Sequence, residues 1–516
     1  MNSSQNNIII YITLIIFCIF LSFSHSLLQV SVDSGLALSN IIKYPDPQSP
    51  MKYYYINSWT ILNQFSEILL RIGFSVENTS RFILFLSSLC FALSAFLIVK
   101  KITSKKYLAL LISLLMLVFQ KNLGDTDYPS LVISNHTYGM ISLAVTSFIF
   151  ALLINNFIKQ TGFFSALLIC IHPIIGFWIL SILIISLLVL KEKKSINNFF
   201  KGCIYGLTIT IISLIVFLSK NIDVINFDVQ NLNSYMENWD GHRNTLGVIH
   251  FEYLIKTAFL FIIVNIYYFL NDENKKSDCF KIFFNTTIIL SSFIYLLFKI
   301  IPEIFPNIII RAMPTRFLIL HSFVAWPLIL SALYFVFFKI EKTKKISTTL
   351  IITTLILYSG QHYKNFFKLK DGYFLNVLNK EKDLDKKFFK DLSNLKTSGY
   401  FITTSQTTNY THILALKPIL LDTNSFDFIP YHPYLIDNVY KILQEVYGVD
   451  INSPPIKNNP SIPDSFIKII FEKKLKTEWL LLSKKYNANH VVVPSGWKIK
   501  LDLIRENGSF RVYKIH

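Results

Sequence analysis

Nine side chains with acid-base, metal-binding or phosphate-binding chemistry stand out; eight fall in the polar stretches between apolar runs, and His172 interrupts an apolar run. A carboxylate can accept a proton or hold a hard divalent cation through its oxygens. An imidazole exchanges protons near neutral pH, and a guanidinium donates paired hydrogen bonds to phosphate oxygens. The nine candidates are Asp33, Asp125, Asp127, His136, His172, His242, Arg243, Arg311 and Arg316.

The composition is typical of a membrane protein. Of the 516 residues, 52% are hydrophobic, the mean hydropathy is +0.45, and apolar runs alternate with short polar loops. This pattern predicts a polytopic α-helical membrane protein. Many of the lysines behind the formal charge of +18 lie in the short loops, where membrane topology accounts for them, so we expect no nucleic-acid partner. The five cysteines show no C-x-x-C spacing, so neither a disulfide framework nor a thiolate metal site is expected.

The apolar windows predict a transmembrane domain over 1–360 with about ten or eleven spans. The first window lacks a positively charged start and a small-residue cleavage site, which favours an anchor helix over a cleaved signal. Residues 361–516 contain no such window and are expected to form a separate soluble domain. The windows are 8–28, 82–99, 107–119, 138–156, one or two within 157–190, 202–219, 251–270, 282–301, 318–338 and 346–360.

The C-terminal domain is predicted to be mixed α/β. Strands are expected in GYFITTS (399–405), in KPILLDT (417–423), in the VVVPSG that follows TEWLLLSKKYNANH, and in the final SFRVYKIH. Helices are expected in PYLIDNVYKILQEVYG, in TEWLLLSKKY and in the charged connector 368–392, whereas 451–464 is rich in Pro and Asn and is predicted to be a loop. A small sheet flanked by helices is the natural packing.

A His-Pro pair interrupts the apolar run from Phe163 to Leu190. As one helix this run would be about 42 Å long, against a hydrocarbon layer of about 30 Å. If the chain instead turns at His172-Pro173, the loops 100–106, 191–201, 271–281 and 339–345 share one side and carry four, four, three and four Lys or Arg. Without the turn, the last three loops would face outward. The positive-inside rule therefore favours the hairpin and makes that side the cytoplasm.

With the hairpin, the external face collects the candidate residues. The long loops 29–81, 120–137, 220–250 and 302–317 lie there, with the C-terminal domain and His172. In the first loop, Trp59, Leu62, Phe65, Leu69 and Ile72 recur at helical spacing and predict a helix lying in the membrane interface. Arginines at head-group depth suit the phosphate of a lipid, and a nearby carboxylate suits a general base. Transfer of a group from a lipid phosphate to an acceptor needs both.

Each candidate also has a purely structural interpretation. Asp33 would cap the structure that follows the first span, and Asp125 and Asp127 would be turn carboxylates. His172 would satisfy a backbone carbonyl freed by the turn. His136, His242 and Arg243 would be solvated in their polar loops. Arg311 and Arg316 would be interfacial anchors whose charged ends reach the aqueous phase.

The layout of the whole chain resembles the GT-C glycosyltransferases. These integral membrane enzymes transfer a sugar from a polyprenyl-phosphate or polyprenyl-diphosphate carrier, usually with inversion. The resemblance rests on the number of spans, the long first external loop with its interface helix and early acid, and the external C-terminal domain. It implies that Asp33 is the catalytic acid-base residue, and that Asp125 and Asp127 match a second-loop motif that helps to hold a divalent metal, Mg or Mn. Several branches of the family work without a metal, so the cofactor stays open.

Three functions remain as hypotheses. The first is a GT-C-like glycosyltransferase on the outer face of a bacterial cytoplasmic membrane, with a polyprenyl-phosphate-linked sugar as its partner. In it Asp33 and His172 are the catalytic candidates, Arg243, Arg311 and Arg316 bind the lipid phosphate, and His136 and His242 are further candidates. The second is a noncatalytic membrane protein that acts in assembly or binding through its external domain. The third is a transporter or flippase, which is disfavoured because no charged residue was found well inside a span. The sugar, the acceptor and the oligomeric state are not indicated.

Overall fold

The computed structural model describes residues 3–24, 30–45, 49–119, 138–220, 227–244, 249–271, 278–305, 309–310, 312–339 and 380–516. The helices are α1 Ser3–Ser24, α2 Val30–Leu38, α3 Pro50–Asn57, α4 Ile61–Arg71, α5 Val76–Thr103, α6 Lys106–Phe119, α7 Tyr138–Ile154, α8 Ile158–Ile171, α9 Pro173–Leu190, α10 Lys193–Leu218, α11 Val229–Asn238, α12 Gly241–Asn244, α13 Phe251–Leu270, α14 Cys279–Ile300, α15 Ser322–Lys339, α16 Lys380–Leu392, α17 Ile436–Tyr447, α18 Asp464–Lys473 and α19 Lys476–Tyr486. The strands are β1 Tyr400–Ile402, β2 Ala488–Pro494, β3 Asp502–Glu506 and β4 Phe510–Lys514.

Long apolar helices confirm the predicted fold class. Among the described residues, six helices are long and apolar enough to cross a membrane, and four further apolar helices are shorter. The chain is thus a polytopic α-helical membrane protein with a C-terminal α/β region. The last predicted span, 346–360, lies outside the described residues. The six are Val76–Thr103, Pro173–Leu190, Lys193–Leu218, Phe251–Leu270, Cys279–Ile300 and Arg316–Phe337, and the four are Ile8–Phe23, Lys106–Val118, Tyr138–Ile154 and Ile158–Ile171.

The contacts within the chain define two compact units. The first combines Met1–Leu28, Ser80–Val216 and Gly247–Val377. The second combines Gln29–Thr79, Phe217–Leu246 and Leu378–His516. The C-terminal residues therefore share a compact unit with two segments that the sequence pattern had assigned to the loops of the transmembrane domain.

In the first unit, the chain turns back at His172-Pro173 as predicted. Helix α8 ends at Ile171, α9 begins at Pro173, and the two helices pack against each other. A Cβ atom on Gly176 would lie 2.4 Å from the backbone nitrogen of Ile169, so the absence of a side chain there permits the close approach. Pro173 occupies the start of the helix, where a missing N–H costs no hydrogen bond.

A four-stranded sheet and one large apolar core organise the second unit. The strand order is β1-β2-β4-β3; β1 is parallel to β2, and β4 is antiparallel to both of its neighbours. The core is shared by all three segments of the unit, because Met51, Tyr55 and Trp239 are buried in the same cluster as Val491 and Trp479. Burial of this apolar surface is what stabilises the association of the segments.

Three local features of the second unit differ from the sequence predictions. The segment 417–423 makes a single parallel bridge, from Ile419 to Phe401, in place of a strand. Strand β3 was not predicted, since its side chains are exposed along its whole length and show no alternation of burial. Helix α18 begins at Asp464, at the end of the predicted loop.

The predicted helix of the first external loop is α4. Its apolar positions do not form one exposed stripe, because Leu69 is buried whereas Ile68 and Ile72 are exposed. Helix α2 packs on its inner side, where Asn63 and Ser66 are buried. Its position in a membrane interface remains a prediction.

Candidate active site

Asp33 lies within a helix and is buried, whereas the sequence suggested an open loop. It belongs to the first turn of α2, which packs against α4. Its neighbours Val32 and Leu36 are buried with Leu70 in a small apolar cluster that Leu416 also contacts. This packing brings the carboxylate to His412, whose Nδ1 lies 2.8 Å from Asp33 Oδ1.

His412 is held by an unusual piece of backbone. It lies in a π-helical turn, Tyr410–Leu414, and Leu416, two residues beyond the turn, has a left-handed φ of 53°. Such turns are rare and recur at functional sites, and a left-handed leucine is a strained conformation. The ring of Tyr55 stacks on the imidazole at 4.9 Å between centroids and 14° between planes. The imidazole is thus fixed in orientation by its backbone and by one flat neighbour.

Tyr44 completes a chain of hydrogen bonds. Its hydroxyl lies 2.9 Å from Nε2 of His412, while Nδ1 of the same ring contacts Asp33. With a neutral imidazole, the Tyr44 hydroxyl donates to Nε2 and the Nδ1–H donates to the carboxylate, so both ring nitrogens are satisfied. We call this arrangement the Asp33–His412–Tyr44 line.

Burial sets the electrostatics around this line. It raises the pKa of the Asp33 carboxyl, and the hydrogen bond from His412 acts in the opposite direction. Burial also raises the pKa of Asp422 to about 6. The hydrogen bond from the backbone N–H of Asn424 lowers this pKa, whereas the charge of Asp33 raises it further. The pKa values of Tyr44 and Tyr55 are raised well above 10 by burial and by the charge of Asp33, so both phenols are un-ionised at neutral pH. The site therefore offers two carboxylates with raised pKa values beside neutral donors.

Two candidates of the first unit lie close to each other. His172 caps the N-terminus of α9, where its Nδ1 accepts a hydrogen bond from the backbone N–H of Ile175 at 3.5 Å. The charge of Arg316 interacts electrostatically with the His172 ring. Next to Arg316, the ring of Phe317 stacks on Trp178 at 4.5 Å. The structural role of His172 therefore differs from the expected one: the ring accepts a hydrogen bond from an amide N–H, whereas the sequence suggested that it would donate to a carbonyl.

Arg243 is not a solvated loop residue. It lies in the short helix α12 and is buried, its guanidinium is paired with the buried carboxylate of Asp240, and the ring of Tyr431 lies 5.0 Å from its Cζ. The expectation of a solvated side chain was wrong, because this segment packs into the core of the second unit instead of lying in water. His242 belongs to the same short helix.

The remaining candidates are not described by the structure. Asp125, Asp127, His136 and Arg311 lie outside the described residues. Within the described part of the chain, no group of three or more His, Cys, Asp or Glu side chains is arranged to hold a metal ion. The metal-binding role of Asp125 and Asp127 therefore remains a prediction.

Sequence reasoning missed the residues that surround Asp33. His412 and Tyr44 are separated from each other by 368 positions, and His412 from Asp33 by 379. The segment TNYTHILAL around His412 contains no motif, and Tyr44 follows a lysine in an ordinary polar loop. Only the isolated imidazole in an apolar stretch was a signal, and this pattern is common in protein cores.

Comparison with known proteins shows similarity to solved structures but to no known sequence family. No protein-family model matches the chain, and no curated protein matches it. The chain is similar to the crystal structure of ArnT from Cupriavidus metallidurans in the apo state, with 10% sequence identity and a TM-score of 0.44, over 100% of this chain and 99% of that chain. Similarity at this level does not carry the fold or the activity of that protein over to this chain.

Proposed function

We propose that the chain is a GT-C-like membrane glycosyltransferase, which transfers a sugar from a polyprenyl-phosphate carrier to an acceptor on the outer face of a bacterial cytoplasmic membrane. The observation that carries the proposal is the buried Asp33 carboxylate, held at 2.8 Å by an imidazole and located nine positions after the end of an apolar helix. A general base needs a fixed geometry and benefits from a raised pKa; the imidazole fixes this carboxyl, and burial raises its pKa.

In the proposed reaction, the acceptor hydroxyl attacks the anomeric carbon of the carrier-linked sugar. The new oxygen–carbon bond forms as the bond from that carbon to the carrier phosphate breaks, and the phosphate leaves with the electron pair. Asp33 takes the proton of the attacking hydroxyl. One carboxylate is sufficient for such an inverting displacement. No step requires a metal, and Asp125 and Asp127 are kept as proposed ligands of a divalent cation.

The leaving phosphate needs a cation at the membrane surface. Arg316, at the entry of a candidate span, is the proposed partner of the carrier phosphate, with Arg311 and with His172 nearby. We do not retain Arg243 in this role, because its charge is already balanced by Asp240 inside the second unit. The loops 191–201 and 271–281 are proposed to be cytoplasmic, and the C-terminal residues periplasmic or extracellular.

The test is sugar transfer by the purified protein from labelled polyprenyl-phosphate and polyprenyl-diphosphate sugars. General-base catalysis contributes about 10²–10⁴-fold, so Asp33→Asn, which still accepts the hydrogen bond from His412 but is not a base, should reduce turnover by that factor. The exposed Asp391→Asn is the matched control and should keep wild-type turnover.

Two outcomes would contradict the proposal. Wild-type turnover in Asp33→Asn would remove Asp33 from the mechanism. Absence of transfer by the wild-type protein with every donor would favour the noncatalytic membrane protein instead.

A further inference from the structure

We propose that His412 is a positioning residue of the transfer reaction, which orients the Asp33 carboxylate so that Asp33 Oδ2 receives the proton of the acceptor hydroxyl. This inference rests on the proposed function and extends it, because it assigns to the C-terminal segment a part in the chemistry. A base in the first external loop would then be competent only when a residue almost four hundred positions away is in place.

Accessibility separates the roles of the two residues. The Asp33 side chain is 11% exposed and the His412 side chain is 1% exposed. The Asp33 side chain thus keeps a small exposed surface, whereas the imidazole has almost none, so the part that meets the acceptor hydroxyl is assigned to Asp33. Since Asp33 Oδ1 accepts the hydrogen bond from His412, the proton-accepting role falls to Oδ2.

The imidazole of His412 is held at both ring nitrogens and on one ring face. Nδ1 contacts Asp33, Nε2 contacts the Tyr44 hydroxyl at 2.9 Å, and the ring face lies against Tyr55 at 4.9 Å. A ring held at both nitrogens and on one face cannot rotate without losing at least one of these contacts. The fixed imidazole holds the Asp33 carboxylate in one orientation as well. In other catalytic groups too, a neighbouring residue orients the base by a hydrogen bond.

The backbone around His412 supports a functional origin of this geometry. The π-helical turn and the left-handed Leu416 are unfavourable conformations, yet the segment is well packed, with Thr411, His412 and Ile413 buried. Conformations of this kind persist where the surrounding structure imposes them, and they cluster at functional sites. A core that only required apolar burial would be satisfied by a regular helix and an apolar side chain at 412.

Loss of the bond has a defined chemical consequence. The hydrogen bond from His412 favours the ionised form of Asp33 and opposes the effect of burial on its pKa. Without the donor, the carboxylate loses its fixed orientation and stays protonated to a higher pH. The acidic limb of the pH–rate profile should then move to higher pH, a change that a merely structural role would not produce.

The experiment compares two substitutions of the same residue. His412→Leu removes the donor, whereas the amide nitrogen of His412→Asn can take the place of Nδ1 and donate to Asp33. Turnover and KM of the full chain are measured from pH 5 to 9 with the labelled carrier sugar, and folding is checked by thermal unfolding in detergent. The control is Thr411→Val, since the buried hydroxyl of Thr411 has no hydrogen-bond partner among the described residues.

We expect His412→Leu to lower kcat by about 10–100-fold, the range of a hydrogen bond to a charged group, with KM nearly unchanged and the acidic limb moved to higher pH. His412→Asn should recover most of kcat and the original limb. Tyr44→Phe, which removes only the second bond of the imidazole, should show a smaller effect in the same direction and is informative even if His412→Leu does not fold.

The positioning role is overturned if His412→Leu keeps the wild-type rate and pH profile, or if Leu and Asn reduce kcat equally with the profile unchanged. Either result leaves the proposed function intact as long as Asp33→Asn is inactive. Full activity of Asp33→Asn would instead overturn the proposed function itself, so the two failures are distinguishable.

Discussion

At the residue scale, burial decides what each carboxylate near His412 can do. Asp33 and Asp422 each have a raised pKa because water is excluded, and the charge of Asp33 makes ionisation of Asp422 less favourable. Asp33 accepts a hydrogen bond from an imidazole, whereas Asp422 accepts one from the backbone N–H of Asn424. The imidazole favours the ionised form of Asp33, as a base requires, and Asp422 changes charge near pH 6.

This difference predicts a pH-dependent stability at Asp422. Its pKa rises from 3.8 to about 6 on folding, so between these values the folded protein binds more protons than the unfolded chain. The contribution of Asp422 to the free energy of unfolding is then complete below about pH 4 and is lost as the pH rises through 6. The loss has an upper bound of about 3 kcal/mol, at 1.36 kcal/mol per pKa unit, before solvent screening reduces it.

The measurement is the thermal midpoint of wild-type protein and of Asp422→Asn at pH 4, 5, 6 and 7.5. Asn keeps the acceptor for the Asn424 N–H and never ionises, so the variant should match wild type near pH 4 and be more stable by a few degrees at pH 7.5. A difference that is constant over the whole range would contradict the buried, titrating carboxylate.

At this scale the sequence can indicate a candidate residue only where its chemistry and its position in the chain coincide. Asp33 was selected as an acid just after the first span, and the structure gives it a partner and a buried environment. His412 and Tyr44 carry no such mark, because their relation to Asp33 arises from the packing of segments distant in the chain. A single sequence records residue types, and long-range contacts are not encoded in any local pattern of it.

At the element scale, elements with a local sequence signal could be predicted, and elements without one could not. The break at His172-Pro173 was predicted from a proline and from loop charges, and both are local or additive signals. Strand β1 and helix α17 follow from apolar periodicity in the same way. The exposed edge strand β3 could not be predicted, because its strand conformation comes from pairing with β4 and not from its own side-chain pattern.

Helices α8 and α10 meet through glycines. A Cβ atom on Gly202 would lie 1.9 Å from the carbonyl oxygen of Lys159, and one on Gly206 would lie 2.3 Å from that of Phe163. The spacing G-x-x-x-G is a frequent means of close helix packing in membranes, where small residues let backbones approach.

We therefore expect Gly202→Leu to force the two helices apart and to destabilise the protein by about 1–3 kcal/mol or more, the cost of overpacking a well-packed contact. Thr208→Leu adds a similar side chain at an exposed position of the same helix and should leave stability nearly unchanged. Thermal unfolding in one detergent, followed by tryptophan fluorescence, compares the three proteins. Equal midpoints for the two variants would show that the glycine contact does not hold α8 and α10 together.

At the scale of the whole molecule, the segments 29–79, 217–246 and 378–516 form one compact unit. The sequence showed that each is polar and long, but not that they associate. Their shared core, in which Tyr235 donates a hydrogen bond to the Phe426 carbonyl and Trp239 donates one to the Ile451 carbonyl, is a tertiary feature without a local signature. If the three segments fold together, they must lie on the same side of the membrane, which is an independent constraint on the topology.

The same constraint sharpens the test of membrane sidedness. The hairpin at His172-Pro173 predicts a cytoplasmic Lys194 and an external C-terminal region. Lys194 and Ser453 are suitable labelling sites, because both side chains are exposed. The natural cysteines give little background, since four are buried and Cys90 is partly buried.

Cysteines introduced singly at Lys194 and Ser453 should therefore react with a membrane-impermeant maleimide from opposite sides of sealed cells and inverted vesicles. A third cysteine at the exposed Gln230, in α11, should behave like the one at Ser453, because both positions belong to the second unit. Labelling of Lys194 and Ser453 from the same side would refute the hairpin topology. Labelling of Gln230 and Ser453 from opposite sides would instead refute the association of the segments 217–246 and 378–516 in one compact unit.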